Sequence, residues 1–444
     1  MAARTIGIDG FNLSMPKGSG IATYAHNLNT SVRKIGFQTA LLYGPEQAPG
    51  RDGLLNEVTL FDAPPPPSPL RLVSGFLREL SSFTAPFGRT ARKVASSGTV
   101  ITRQIARNAP PSDAVWSSKD VFHGANRAYG ALGRFTPLRF DGGGEGAPDV
   151  MHWTAALPLR AVGRPNLYTL HDLVPLRLPF ATLDNKRRFL NLCREICATA
   201  DKVVTVSEHS ADDMVKILGV DRARIAVTYQ AVDLPEALTA RPADDVAREI
   251  EGVFGLDWRG YYIFFGAIEP KKNLGRVIEA YLASGAKAPL VIIGGKAWLD
   301  DDQIELMYED IVELSALQDG LIRRADRIRL YDYMPFSLLV SLIRGAKATL
   351  LPSLYEGFGL PVLESMQLGT PVLTSTEGSL PEIAGDAALL VDPYDSQAIR
   401  RAIVALDSDA DLRADLTARG ARQAEKFNPE AYRGRLAELY RPFV

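Results

Sequence analysis

The stretch ATLLPSLYEGFGLPVLESMQLGTPVLTS, residues 348–375, contains a complete strand–loop–helix–strand pattern. Its first apolar run ends at Pro352 and Ser353, and a Gly-Phe-Gly loop follows. Pro361 then stands in the first turn of a predicted helix, where a missing N–H has no cost. Buried strands that alternate with helices are typical of a parallel, doubly wound sheet, in which ligands bind at the carboxyl ends of the strands. The stretch therefore predicts an α/β fold with a ligand-binding loop after this strand.

Compact apolar runs of the same kind recur along both halves of the chain. The first half contains TIGIDGF, QTALLYG, VFHGA, DVMHW, NLYTLHD and KVVTVSE, and the second contains YYIFFGAIEP, PLVIIGG, RIRLYDY and AALLVD. Helix-period segments separate the runs, and the polar stretch at residues 235–260 separates the two series. The pattern predicts two Rossmann-like domains that are joined within this stretch.

The segment at about residues 50–148 departs from this rhythm and is expected to be an irregular insertion. Residues 71–107 carry seven basic residues against the single acid Glu79, a net charge of +6, with apolar residues interleaved. One interpretation is an amphipathic surface for peripheral contact with an anionic membrane. The other is a solvated helical face or a mobile insertion.

Two glutamates flank the Gly-Phe-Gly loop. Glu356 precedes the loop and Glu364 lies inside the predicted helix, with seven residues between them. Carboxylates accept hydrogen bonds from vicinal hydroxyls, as on a ribose or a hexose. The helix N-terminus behind the loop offers N–H groups and a positive dipole to a phosphate. Within this strand–loop–helix context, the spacing predicts a site for a nucleotide sugar.

Two lysines follow another predicted strand. In FFGAIEPKKNLGRVIEAY the strand ends at Gly266, and Lys271 and Lys272 come just before a helix. Lysines in this position are suited to neutralise a diphosphate. The alternative is a pair of surface lysines at a turn, which is less favoured because the glutamates lie in the same predicted domain.

A glycine-containing loop, Gly18-Ser19-Gly20, lies between the first strand and the first helix. This is the usual place for backbone to approach a phosphate, although a tight turn without a ligand stays open. Ala22 and Thr23 follow where a dinucleotide motif would continue, and Glu46 is the single acid near the end of the second strand. A nicotinamide or flavin site is therefore disfavoured.

The five histidines fall into three groups. His171, followed by Asp172, ends a buried strand and is expected to project into the cleft between the domains. His123 and His152 also end predicted strands and are weaker candidates, and His26 and His209 lie in helical patterns. The aspartates at 300–302 are interpreted as a helix cap rather than a metal site, so no metal is predicted.

Composition limits the remaining classes of function. The chain has 444 residues and a net charge of -2, which gives no sign of a polyanionic partner such as nucleic acid. The N-terminus has no basic leader before an apolar core, and no apolar run reaches the roughly 18 residues of a membrane span. Cys193 and Cys197 are expected to be buried thiols. A cytoplasmic protein, peripheral to the inner face of the membrane or free of it, is expected.

Taken together, GSGIATY, LHDLVPLRLP, VTVSEHS, FGAIEPKKN and YEGFGLPVLE resemble, in this order, retaining glycosyltransferase family 4 of the GT-B fold. HDLVPLRLP and AIEPKKN look like the bacterial branch that includes surface-polysaccharide mannosyltransferases. The resemblance implies an acceptor-side domain at 1–240, a nucleotide-sugar domain at 256–425, and a C-terminal helix at 426–444 that crosses back. It also implies metal-independent transfer of a hexose, mannose from GDP-mannose by preference, to a glycan or lipid-linked acceptor, with no cofactor.

The same resemblance implies a role for each motif residue. His171 and Glu356 would be catalytic, Lys271 and Lys272 would bind the diphosphate, and Glu364 would hold the ribose. The other implied donor contacts are Gly20, Tyr333, Met334, Gly357, Phe358, Gly359 and Leu360.

One residue departs from the family pattern. Many members have an arginine after the glycine that ends the first strand of the second domain, and Ala267 stands here. Neutralisation of the phosphates would then depend on Lys271 and Lys272. Two alternatives to a transferase stay open: another GT-B enzyme, such as a sugar-nucleotide epimerase or a phosphorylase, and a non-catalytic sugar-nucleotide-binding protein.

Overall fold

The computed structural model describes residues 4–14, 20–45, 52–61, 87–95, 100, 110–141, 146–295, 315–318, 321–324 and 327–444. Within these ranges the chain forms two α/β domains, each built on its own predominantly parallel sheet. The predicted pair of doubly wound domains is therefore confirmed.

The sheet of the first domain has ten strands, which are β1 (Thr5–Asp9), β2 (Gln38–Tyr43), β3 (Arg89–Val94), β4 (Ala114–Ser117), β5 (Thr136–Phe140), β6 (Val150–Trp153), β7 (Leu159–Ala161), β8 (Asn166–Thr169), β9 (Lys202–Thr205) and β10 (Ile225–Val227). Their order is β10-β9-β8-β6-β1-β2-β4-β3-β5-β7. Every pairing is parallel except that of β3 with β4. The central strands β1, β6 and β8 are buried along their whole length, as expected for strands that are covered on both faces of a parallel sheet.

The helices described in this domain are α1 (Gly20–Ile35), α2 (Gly53–Phe61), α3 (Val121–Leu132), α4 (Val174–Arg177), α5 (Lys186–Thr199) and α6 (Glu208–Asp213). A π-helical turn (Met214–Leu218) continues α6, and short 3₁₀ turns lie at Pro179–Ala181 and Arg222–Arg224. Both cysteines lie buried on α5 as free thiols.

Two expectations for the stretch 50–148 were wrong. It is not irregular where it is described, because it contributes α2, α3 and the three strands β3, β4 and β5 to the domain. VFHGA begins helix α3 rather than forming a strand. Val121, Ala125, Ala128 and Tyr129 are buried at helical spacing, and this stripe decides the conformation.

The sheet of the second domain has six parallel strands, which are β11 (Tyr262–Phe265), β12 (Leu290–Ile293), β15 (Ile328–Tyr331), β16 (Ala348–Leu351), β17 (Val372–Ser375) and β18 (Ala388–Val391). Their order is β15-β12-β11-β16-β17-β18, and β13 (Ser315–Gln318) and β14 (Leu321–Arg324) form a separate antiparallel pair. The helices in the second half of the chain are α7 (Glu236–Thr239), α8 (Ala243–Phe254), α9 (Leu274–Ser284), α10 (Phe336–Gly345), α11 (Leu360–Gln367), α12 (Leu380–Ala384), α13 (Ser396–Ser408), α14 (Ala410–Glu425) and α15 (Pro429–Tyr440).

The polar stretch at 235–260 is helical rather than a simple linker. Helix α8 buries Val246 and Ile250 in one apolar cluster with Tyr261 and residues of α10. Ile250 lies directly over Gly345, where a side chain would leave no room for it. The packed unit of the second domain therefore begins at Ala243, ahead of the expected boundary at 256.

The C-terminal helix α15 packs on α1 of the first domain. Tyr440 at its end is fully buried and contacts Phe37 edge-on at 6.0 Å between ring centroids. The Tyr440 hydroxyl and His152 Nδ1 are 2.6 Å apart, and His152 Nε2 lies 2.8 Å from Thr169 Oγ1. Burial, with His171 nearby, lowers the pKa of His152 to about 3, so its ring is neutral. His152 therefore belongs to the contact between α15 and the first sheet.

Removal of the Tyr440 hydroxyl tests this contact. Tyr440→Phe leaves one nitrogen of the buried His152 without a partner, and we expect a loss of about 1–3 kcal/mol in the free energy of unfolding. Urea denaturation followed by tryptophan fluorescence measures it. The control is Tyr394→Phe, at a half-exposed tyrosine whose hydroxyl forms no hydrogen bond within the described residues. Equal stabilities of the two variants would contradict the assigned role of this hydrogen bond.

Candidate functional site

The candidate site lies where the carboxyl ends of β11 and β16 in the second domain face loops of the first domain. The 3₁₀ turn Pro270–Lys272 follows β11, and Asn273 ends it in a left-handed conformation with φ of +61°. The Asn273 side-chain amide donates to the carbonyl oxygens of Pro352 (3.0 Å) and Pro393 (2.7 Å). The backbone N–H of Leu354 donates to the carbonyl of Lys271 at 2.7 Å. The lysine turn and the loop after β16 are therefore held together.

Lys272 and Glu356 form a buried ion pair at the centre of this contact. Lys272 Nζ lies 2.5 Å from Glu356 Oε1, and Lys271 Nζ lies 3.8 Å from Glu356 Oε2 and 3.5 Å from Glu269. Burial opposes ionisation of Glu356, but Lys272 and then Lys271 outweigh it and lower its pKa. Burial likewise opposes the charge of Lys271, and its acidic neighbours, Glu356 foremost, raise its pKa. Lys271 therefore stays protonated beside an ionised Glu356.

The Gly-Phe-Gly loop is attached to both domains. Ser207, after β9 of the first domain, donates from Oγ to the carbonyl of Gly357 at 2.7 Å, and Ser210 Oγ reaches the same oxygen at 3.3 Å. Ser379 Oγ lies within hydrogen-bond distance of the carbonyls of Glu356 (2.9 Å) and Phe358 (2.8 Å). The backbone geometry of the loop is therefore held by three hydroxyls to which the sequence analysis gave no role.

A glycine is needed at 357 because the two domains meet there. A Cβ at this position would lie 2.8 Å from the Asp172 carboxylate and 2.9 Å from the His171 carbonyl. Gly359, with φ of +101°, is the N-cap residue of helix α11, and Pro361 occupies the first turn of the helix as predicted. A Cβ on Gly20 would come 4.0 Å from the Leu360 side chain, so the start of α1 faces the start of α11.

Glu364 lies one turn inside α11 and is half-buried. Within the described residues its carboxylate forms no hydrogen bond or ion pair. Burial raises its pKa to about 7, and Lys272 opposes part of that rise. The site thus contains a carboxyl group that no described protein group satisfies, next to a buried lysine.

His171 lies across the cleft in the first domain. Its Nε2 is 2.9 Å from the carbonyl of Thr154, and its ring packs edge-on against Tyr24 at 4.7 Å. A carbonyl can only accept, so Nε2 carries the proton and Nδ1 is the acceptor when the ring is neutral. Burial lowers the pKa of His171 despite the Thr154 contact, which favours the neutral ring.

Asp9, at the end of β1, supports this arrangement and was not identified from the sequence. Its buried carboxylate accepts from the backbone N–H of Thr154 and from Thr154 Oγ1 (3.1 Å). Burial raises its pKa to about 6, against these hydrogen bonds. An acid at the carboxyl end of the first strand was the available signal.

The other predicted residues are dispersed. Phe358 is buried against Phe427, so its backbone rather than its ring faces the site. Met334 packs on the apolar cluster of α8 and α10, and Tyr333 is 76% exposed. Neither forms a hydrogen bond with the lysines or glutamates. His123 is exposed near the start of α3, where its ring lies 5.8 Å from that of Phe11 just after β1, and Ala267 is exposed beside the lysine turn. Gly18, Ser19 and the aspartates at 300–302 lie outside the described residues.

Two family profiles match the two domains. The profile described as Glycosyltransferase Family 4 matches residues 99–236, and the profile described as Glycosyl transferases group 1 matches residues 253–423. The second match contains both lysines and both glutamates of the site.

Curated relatives point to the same class. The chain is 32% identical over 270 residues to O-antigen chain mannosyltransferase B of Escherichia coli, which covers 59% of this chain and 66% of that protein. It is 25% identical over 300 residues to the serotype-specific mannosyltransferase WbdA of Escherichia coli, which covers 64% of this chain and 35% of that protein. The chain is 27% identical over 384 residues to D-inositol 3-phosphate glycosyltransferase of Thermobispora bispora, and this match covers 79% of this chain and 87% of that protein. The chain spans less than two thirds of the length of the two mannosyltransferases.

Solved structures share the fold over the whole chain. Sucrose-phosphate synthase from Thermosynechococcus elongatus superposes with a TM-score of 0.66 at 16% identity, covering 99% of this chain and 98% of that chain. Anabaena HepE in complex with UDP and glucose superposes with a TM-score of 0.63 at 15% identity, covering 99% and 100%. The fold and the matched profiles define a two-domain GT-B glycosyltransferase. The chain belongs to glycosyltransferase family 4.

The raised pKa of Glu364 predicts that the affinity for a nucleotide depends on pH. A ligand hydroxyl would donate a hydrogen bond to the ionised form of this carboxylate, so a nucleotide that binds here would favour ionisation of Glu364. Because the pKa of Glu364 is about 7, we expect the affinity for a nucleoside diphosphate to increase as the pH rises through this value and to level off above it. Isothermal titration between pH 5.5 and 8.5 measures it.

The matched control for this titration is Glu364→Gln, which keeps the shape of the side chain and removes the titration. The ligand's own phosphate also titrates, so the pH dependence that differs between the two proteins is the quantity of interest. Identical pH profiles would contradict a contact between Glu364 and the nucleotide.

Proposed function

We propose that this protein is a retaining glycosyltransferase that moves a hexose, mannose from GDP-mannose, to a glycan or lipid-linked acceptor in bacterial polysaccharide synthesis. The observation that carries the proposal is the arrangement around Glu356. A buried Lys272–Glu356 pair lies beside the N-terminus of α11, and one turn into that helix lies the carboxyl of Glu364, which forms no hydrogen bond within the described residues. Phosphates, a sugar and a ribose each find a complementary group there.

The chemistry of the leaving group supports transfer without a metal. As the bond between the sugar and the diphosphate breaks, negative charge builds up on the diphosphate oxygens. Lys271, Lys272 and the N–H groups at the start of α11 provide positive potential where that charge develops. Lys272 is paired with Glu356, and a bound diphosphate would share this lysine.

His171 would orient the donor sugar from the opposite domain. Its Nε2–H is committed to the Thr154 carbonyl, so the neutral ring presents Nδ1 as an acceptor for a sugar hydroxyl. Glu356, held ionised by the lysines, would accept from other hydroxyls of the same sugar. Similarity to two mannosyltransferases favours mannose. The HepE structure contains UDP, so guanine and uracil nucleotides both belong in the test.

Nucleotide binding tests the site directly. We expect GDP-mannose or GDP to raise the unfolding temperature of the purified protein, and Lys272→Ala or Glu364→Ala to weaken binding about 10- to 100-fold, the loss of one charged hydrogen bond. UDP-glucose and UDP-N-acetylglucosamine are measured beside them. The matched control is Lys287→Ala, at an exposed lysine after α9.

Stabilisation by none of these nucleotides would contradict the proposed function. Unchanged binding in both site variants would contradict the site while leaving the class intact. With a competent donor, NMR of the product shows whether the anomeric configuration is retained, and activity in excess EDTA shows whether a metal is needed. A product with inverted anomeric configuration would overturn the proposed retention, and complete loss of activity in EDTA would overturn the proposed metal independence.

Peripheral membrane contact is the second part of the proposed function. Most of residues 71–107 lies outside the described residues, but the described neighbours support such a surface. Helix α2 lies beside β3 and exposes Leu54, Leu55 (60%) and Val58, and Phe87 just before β3 is 86% exposed. The exposed Lys93 on β3 adds positive charge, whereas the exposed Arg92 lies 3.7 Å from Asp141. In the part of the chain that the structure describes, no helix is long and apolar enough to span a bilayer.

Vesicle binding tests this surface. We expect the protein to sediment with phosphatidylglycerol-containing vesicles and not with neutral phosphatidylcholine vesicles. Leu55→Ser combined with Phe87→Ser should reduce binding more than tenfold, because burial of each side chain contributes about 1.5–3 kcal/mol. Val253→Ser, at an exposed valine of α8, is the control. Equal binding to charged and neutral vesicles would contradict the proposal. Unchanged vesicle binding by the double variant would also contradict it.

A further inference from the structure

A cleft of about 460 Å³ lies between the two domains beside the donor loop. Its lining comes from α4, from the loop that follows the Pro179–Ala181 turn, and from the lysine turn of the second domain. The lining residues include Asp172, Thr182, Leu183, Asp184, Glu269 and Lys271. Of these residues, Asp172, Glu269 and Lys271 also belong to the candidate site described above.

The cleft adjoins the donor loop through two residues. The Asp172 carboxylate lies against Gly357, where a Cβ would come within 2.8 Å of it. Lys271 lines the cleft and lies 3.8 Å from Glu356. A molecule in the cleft would therefore meet the sugar held by Glu356 and the Gly-Phe-Gly loop.

The charges of the cleft are predominantly negative. Asp172, Asp184 and Glu269 supply three carboxylates against the single cation Lys271, a balance of -2. Lys271 is already within 4 Å of two carboxylates, those of Glu269 and Glu356. An incoming phosphate or carboxylate would therefore meet repulsion, whereas hydroxyl groups could donate to the carboxylates.

Two further features of the wall suit a sugar. Thr182 Oγ1 is buried and has no hydrogen-bond partner in the described part of the chain. Leu183 is 75% exposed at the rim, and Phe180 nearby is 64% exposed. The hydroxyls of a sugar ring can hydrogen-bond to Thr182, and its apolar C–H face can pack against Leu183 and Phe180.

We propose that this cleft binds the acceptor and that its charge selects an uncharged sugar over a phosphorylated one. The inference rests on the proposed transferase function and adds the class of acceptor. In the transfer, the acceptor oxygen bonds to the anomeric carbon as the bond from that carbon to the diphosphate oxygen breaks, and the hydroxyl proton passes to the departing diphosphate. Asp184 and Thr182 act before this step, by binding the acceptor.

Paired acceptors test the charge of the cleft. Octyl glycosides of mannose, glucose, galactose and N-acetylglucosamine, each with and without a 6-phosphate, are offered with saturating donor. We expect transfer to at least one neutral glycoside and at least tenfold lower kcat/KM for its phosphorylated form. Nucleotide affinity is measured in parallel, so failure of the donor site is seen separately.

Substitutions at Asp184 separate charge from shape. Asp184→Lys should raise KM for the neutral glycoside about tenfold and narrow the discrimination against its 6-phosphate by about tenfold, since the charge at this position changes from -1 to +1 near the acceptor. Asp184→Asn removes the charge but keeps a side chain that can form hydrogen bonds. It should change KM for the neutral glycoside less than threefold while still raising kcat/KM for the phosphorylated glycoside. The matched control is Glu251→Lys, at an exposed glutamate of α8.

Three results would overturn the inference in a protein that binds donor nucleotide. They are preference of the unmodified protein for a phosphorylated acceptor, transfer to none of the neutral glycosides, and equal acceptor KM values for Asp184→Lys and Glu251→Lys. A protein that binds no nucleotide would instead contradict the proposed function on which the inference rests.

Discussion

The buried ion pair between Lys272 and Glu356 is the constraint on which the rest of the site depends. Removing two charges from water is costly unless each keeps a close partner, and Lys272 Nζ lies 2.5 Å from Glu356 Oε1. The pair is held in position by backbone contacts between the lysine turn and the loop after β16. A charged group that enters this site can share the lysine without leaving Glu356 unpaired, because Lys271 lies 3.8 Å away.

The same site is built from both domains. The carbonyl of Gly357 accepts from Ser207 of the first domain, and the Asp172 carboxylate lies against the glycine itself. Behind this contact, α15 returns from the second domain to the first and buries Tyr440 beside His152. His152 also meets Thr169, whose hydroxyl lies 2.8 Å from that of Tyr24, the residue that packs on His171. Three hydrogen-bond contacts and one edge-on ring contact thus link the C-terminal helix to the cleft.

Much of the fold and part of the candidate site could be predicted from local sequence. The run at 348–375 folds as a strand, a glycine loop and a helix, because apolar content, Gly359 and Pro361 all favour the same local structure. Helix α3 was predicted as a strand because VFHGA is a short apolar run. The helical spacing of its buried residues becomes visible only when the pattern is followed on to Tyr129. Asp9, Ser207 and Ser379 were missed because their partners are distant in sequence or are backbone carbonyls, which leave no mark on residue type.

The sequence by itself determined the alternation of strands and helices, the glycine loop, and the presence of two lysines and two glutamates in one domain. These features follow from local periodicity and from the preferences of single residues. Only the tertiary structure decided that Lys272 pairs with Glu356 while Glu364 keeps no partner in the described chain, and that Asp172 and Asp184 share a cleft with Lys271. Burial and charge pairing depend on distances between segments far apart in sequence, and these exist only once the two domains have packed together.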